Sequence, residues 1–126
     1  MGSMRKMTEL RWVIKEKADD SYIMILINKL VDHVRGYYGE YHPFISDILE
    51  LQSLYFLDRR QFDRAIEVNL QSIGNMVRCC GDNQQELKLS NSHYHFGECL
   101  LKCMRYGDAL QEFRKAKFIL ESNAYM

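Results

Sequence analysis

One helical hairpin is written twice in this chain, the copies offset by 44 residues. In the later copy, FGECLLKCMRYGDALQEFRKA from Phe96 to Ala116, the residues Phe96, Gly97, Leu100 and Met104 recur at helical spacing. The pattern breaks at Arg105–Gly107, and Tyr106, Ala109, Leu110, Phe113, Ala116 and Phe118 resume it. Phe62 precedes Tyr106, and Ala65 precedes Ala109, by the same 44 residues, and FDRAIE at 62–67 parallels YGDALQE at 106–112. Gly97 and Ala109 lack bulk, so two antiparallel helix backbones can approach closely there, with Tyr106 and Phe113 as aromatic wedges around them. A lone helix pair cannot bury both of its faces, so a repeated pair stacks on its neighbour.

Phe96, Gly97, Leu100, Tyr106, Ala109, Phe113 and Ala116, taken in succession, resemble the signature of the tetratricopeptide repeat. The earlier copy fits the same signature through Ile48, Leu51, Gln52 and Tyr55 if the turn Asp58–Gln61 carries one extra residue, with Asn69 and Ser72 in place of the aromatic and the alanine. A degenerate third copy precedes it, in which Arg11, Asp20 and Ile23 take the small, aromatic and alanine places. The resemblance implies an all-α fold, in which antiparallel helix pairs stack as a right-handed α-solenoid. About six helices are expected, in one domain over 4–126 with units at 4–39, 43–81 and 84–122. A period of 42–44 residues is longer than the roughly 34 of the common unit.

The helices predicted in order are Met4–Lys17, Tyr22–Arg35, Phe44–Leu57, about Gln61–Cys79, Glu86–Met104 and Tyr106 to about Ser122. Ala18-Asp19-Asp20-Ser21 supplies a turn with capping side chains, and the glycines of 36–39 with Pro43 close one helix and open the next. The second helix is so dense in Ile, Leu and Val that it is expected to lie buried between neighbours. Met1-Gly2-Ser3 reads as a cloning remnant.

Seventeen basic residues balance 17 acidic ones, so nothing in the long-range field favours nucleic acid or an acidic membrane surface. Four cysteines without paired spacing, no signal peptide and no apolar run able to span a bilayer point to a cytoplasmic, reducing setting.

The phrase Gly39-Glu40-Tyr41-His42-Pro43-Phe44 resembles the Gly-x-x-His-Pro linker of two long-period relatives, kinesin light chains and the C-terminal helical domain of MYND/SET lysine methyltransferases. The second resemblance implies an alternative role, as the helical part that walls off the substrate cleft of a larger enzyme.

His95, Cys99 and Cys103 follow one another at i, i+4, i+8, a spacing that would let an adjacent pair supply two of the four ligands zinc needs, with Cys79, Cys80 or His93 completing the set. The same residues would serve a cysteine nucleophile with a histidine base. Buried cysteine is a common small core residue, no oxyanion pocket accompanies the pair, and no glycine-rich phosphate cradle follows a strand. The chain is therefore read as a non-enzyme without a metal or cofactor, and as a module that binds a protein or peptide partner.

In tetratricopeptide domains the concave groove is lined by fixed positions of the first helix of each unit. Counting from the match, these fall on Asn91, Tyr94, Glu98, Leu101 and Lys102 in the last unit, and on Ser46, Leu49, Ser53, Phe56 and Leu57 in the middle one, of which Leu49, Phe56 and Leu57 would equally pack against the apolar preceding helix pair. That lining lacks the lysine and asparagine clamp by which chaperone-binding members hold a C-terminal carboxylate. The stripe Phe113, Lys117, Phe118 and Leu120 on the last helix is expected to face outward and would serve a homodimer.

Overall fold

The computed structural model describes residues 7–12, 19–79 and 83–124, and all its regular structure is α-helical. A helical segment at 7–12 is followed by α1 (Asp20–Tyr38), α2 (Pro43–Asp58), α3 (Phe62–Cys79), α4 (Asn83–Lys102) and α5 (Tyr106–Ala124). The remainder of the helix predicted from Met4 to Lys17, Ala18 of the cap turn, Cys80 and Gly81-Asp82 lie outside the described residues.

Local chemistry sets the boundaries. Asp19 caps α1 by accepting from the Ser21 backbone N–H at 3.4 Å. The helix runs on through Gly36 and stops at Gly39, whose φ of 104° falls in the left-handed region where a side chain would be strained. His42 then caps α2, its Nδ1 accepting from Phe44 N at 3.1 Å, with Pro43 at the first helical position. Burial and the nearby Lys88 ammonium hold the His42 imidazole below its ordinary pKa, which keeps the ring neutral and its Nδ1 available as an acceptor.

The apolar stripes meet in one cluster that runs from Met7 and Leu10 through Ile23, Ile27 and Leu30 of α1 and Ile48 of α2 to Ala65, Leu100 and Ala109. In α1 only one face is buried, and Ile25 on the other is 53% exposed, so this helix is half-covered and not enclosed as its composition suggested. A polar clasp joins α1 to the far end of α2. The Tyr55 hydroxyl donates to Asp20, Arg59 pairs with the same carboxylate at 2.9 Å, and its guanidinium lies over the Tyr55 ring.

The two hairpins, α2 with α3 and α4 with α5, have the most extensive packing, and α4 lies against both helices of the preceding hairpin. They are built alike. Ser46 Oγ donates to the Ser72 carbonyl at 2.8 Å, and 44 residues on Ser90 Oγ donates to the Ala116 carbonyl at 2.8 Å. The turns repeat bond for bond as well: Gln61 N donates to Phe56 O, and Arg105 N to Leu100 O. Arg60 and Met104 stand at the same point of each turn with φ of 58° and 63°.

This equivalence corrects the match between the copies. The Asp58–Gln61 turn carries no extra residue, because both turns close with the same bonds 44 residues apart. Gln52, Ser53 and Phe56 therefore answer to Phe96, Gly97 and Leu100, in place of Ile48, Leu51, Gln52 and Tyr55. At Gly97 an added Cβ would meet the Phe113 ring at 2.6 Å. At the equivalent place in the first hairpin the pair is Ser53 and Asn69, with Asn69 Nδ2 donating to the Ser53 hydroxyl and to the Ala65 carbonyl. A ring against a glycine in one hairpin is thus an amide against a serine in the other. Phe113 is consequently half-buried and turned inward, whereas Phe118 and Leu120 remain exposed on the outer side of α5.

Candidate binding groove

Helices α2 and α4 run parallel, since Asp47 meets Lys88 at 3.2 Å and Glu50 meets Ser92 further along both. Between them and the segment at 7–12 opens a groove of about 490 Å³. Arg11 forms one rim, Leu51, Leu54 and Leu57 the apolar wall, and His95, Glu98 and Lys102 the opposite wall. A smaller recess of about 100 Å³ adjoins it around Asp47, Glu50, Asn91 and His95. Ser53, Asn69 and Cys99 make a floor whose polar groups are already bonded to one another.

The residues expected to face a partner divide. Glu98 and Lys102 line the groove, Asn91 borders the recess, and Ser53 lies at the floor with 3% of its surface exposed. Phe56 is buried and Leu49 is half-buried against the core, and neither lines the groove, while Ser46 is buried with its hydroxyl spent on Ser72. These three were placed on the groove by the extra residue assigned to the turn. A shift of one position rotates a helix by about 100°, which exchanges the open side for the buried one. With the corrected register the middle-unit positions are Asp47, Glu50, Leu54, Leu57 and Asp58, of which the first four line the groove or its recess.

Tyr94 and Leu101 lie beside the groove and not in it. On α4 they hold the places that Glu50 and Leu57 hold on α2; here Tyr94 is 50% exposed, with its ring 5.4 Å from that of Phe113.

Glu50 is not among the positions counted onto the groove from the sequence, yet it lines both the groove and the recess in a perturbed environment. Burial pushes its carboxyl pKa up, against the opposing influence of His95 and of the Ser92 hydroxyl, which donates at 3.1 Å. Asp47 adds to the rise and Lys88 works against it. The raised value means that the folded chain binds the Glu50 proton more tightly than the unfolded chain does. Its contribution to stability is therefore full below the ordinary carboxylate range and is lost as pH rises through the elevated folded value. Glu50→Gln, which retains an acceptor for Ser92, is expected to melt at a higher temperature than the native chain at neutral pH, and the gap should close on acidification. Thermal melts across the acid range check this, and a gap that widens toward low pH would contradict it.

The sites considered for metal or nucleophilic chemistry come out differently. Burial, then the neighbouring Cys103, pushes the Cys99 thiol up to about 11, and burial raises Cys103 as well, so neither is primed as a thiolate. His95 is half-exposed with Nδ1 3.7 Å from Glu98, while His93 lies on another side of α4 with Nδ1 2.8 Å from Glu112. Among the described residues no three His, Cys, Asp or Glu side chains converge as metal ligands, and no helix is long and apolar enough to cross a membrane.

Comparison with protein-family models, with curated proteins and with solved structures finds no match.

Proposed function

We propose that this chain is a non-catalytic interaction module, a short run of tetratricopeptide-like helix pairs that holds a segment of a partner protein in the groove between α2 and α4. The observation that carries this reading is the groove itself, in which three leucines face a polar wall of His95, Glu98 and Lys102. Apolar contact of that kind supplies affinity, and fixed polar groups beside it select the sequence that binds. The bond-for-bond repetition of the two hairpins supports the stacked-repeat architecture, because a repeated hairpin keeps its first helices parallel and side by side, which is what leaves a groove between them.

Leu54, half-exposed on the apolar wall, is the residue to change. Leu54→Glu is expected to leave the helix content and melting temperature nearly intact, because the side chain already faces water, and to remove the partners that the native chain retains. Quantitative affinity capture with native and variant protein reads this directly. Retention of every partner by Leu54→Glu would mean that the groove is not where binding occurs.

A further inference from the structure

Three carboxylates line the groove and its recess, and they are not equivalent. Asp47 is engaged by Lys88 at 3.2 Å, and Glu98 has His95 at 3.7 Å. Glu50 receives one hydroxyl, that of Ser92, and forms no ion pair among the described residues. The two basic side chains that act on it, Lys88 and His95, are those already drawn to Asp47 and Glu98. The groove thus holds a partly buried carboxylate with no ion-pair partner of its own among the described residues, next to an apolar wall.

We infer that the groove takes a partner segment carrying a lysine or arginine side chain against the Glu50 carboxylate, with an adjacent apolar residue seated on Leu51, Leu54 and Leu57. This rests on the groove reading above and specifies the chemistry of its occupant. A cation brought to a partly buried, unpaired carboxylate gains more than one brought to a surface charge, because less water screens the pair once the groove is filled. An arginine donates to both carboxylate oxygens as a fork, and a lysine shares the carboxylate with the Ser92 hydroxyl. The groove also has two exposed cations, Arg11 and Lys102. Both keep their water, so an acidic segment would gain little from them.

The test uses a library of random dodecapeptides displayed on phage and selected on the full chain. Selections on Glu50→Gln and on Leu54→Glu run in parallel, and thermal melts confirm that each variant is folded. The expected result is enrichment of lysine or arginine beside an aliphatic residue on the native chain. Peptides synthesised from that pool should bind Glu50→Gln at least tenfold more weakly and should fail on Leu54→Glu. If the selected peptides need Leu54 but show no basic residue, or an acidic one, or bind Glu50→Gln undiminished, the assignment of Glu50 is overturned while the groove reading survives. If nothing is enriched, or the peptides bind Leu54→Glu as well as the native chain, both are overturned.

Discussion

Replacing Gly97 with leucine is expected to destabilise the chain by about 2–3 kcal/mol and to lower its melting temperature by roughly 10 °C. A Cβ at this position would lie 2.6 Å from one Phe113 ring carbon and 2.8 Å from the next. The ring already packs against Tyr94, whose centroid is 5.4 Å from its own, so moving it off Gly97 disturbs that contact as well. The overpacking outweighs the roughly 1 kcal/mol that any ordinary residue gains over glycine inside a helix. The first hairpin suggests the compensating change. Gly97→Ser together with Phe113→Asn transplants the Ser53–Asn69 pair, so the double variant should be more stable than the sum of the single changes by about 1–2 kcal/mol. Urea titrations of the four proteins check this. Strict additivity would mean that the two positions are not packed against each other.

Glu112→Ala is expected to cost about 2–3 kcal/mol, because it leaves a buried ring nitrogen without a partner. Glu112 and His93 are held at 2.8 Å, with only 9% and 13% of their side chains exposed, and Lys115 adds a bond to the second carboxylate oxygen at 2.9 Å. Glu112→Gln keeps an acceptor for His93 and should cost about 1 kcal/mol. Lys115→Ala, at a half-exposed residue, should cost next to nothing. The positions 44 residues earlier hold Leu49 and Val68, both packed into the core. Importing that pair as His93→Leu with Glu112→Val is therefore expected to be neutral or stabilising, as replacing a buried polar pair by matched apolar residues often is. Equal losses for Glu112→Ala and Glu112→Gln would show that the pair does not hold α4 to α5.

Comparing the copies position by position also shows how much could be read from the residues alone. The helices were legible because apolar periodicity is a local property, and so were Asp19, Gly39 and Pro43 as boundary residues, because capping and φ preference act within a few residues. The length of the Asp58–Gln61 turn was not legible. It depends on Arg60 adopting φ of 58°, and on Met104 doing the same in the other hairpin, and neither residue type announces that conformation. One available signal would have fixed the register, namely that Ser46 and Ser90 are themselves 44 residues apart. A serine in a helix interior looks like a surface residue until the carbonyl that receives its hydroxyl is known. The aromatic and glycine of the later copy both change in the earlier one, to Asn69 and Ser53, and that paired change was a second clue to contact.

The sequence by itself therefore determined that the chain is all helix, where most helices begin and end, and that one hairpin recurs. Asn91, Glu98 and Lys102, counted from the resemblance, do line the groove or its recess in the structure. Only the tertiary structure decided which side of α2 faces the groove, that Leu54 and Glu50 belong there while Phe56 and Leu49 do not, and that His93 is committed to Glu112. The reason is geometric. Each residue turns an α-helix by about 100°, so an uncertainty of a single position in a connecting turn leaves the pattern of the helix unchanged and moves every one of its side chains to a different neighbour.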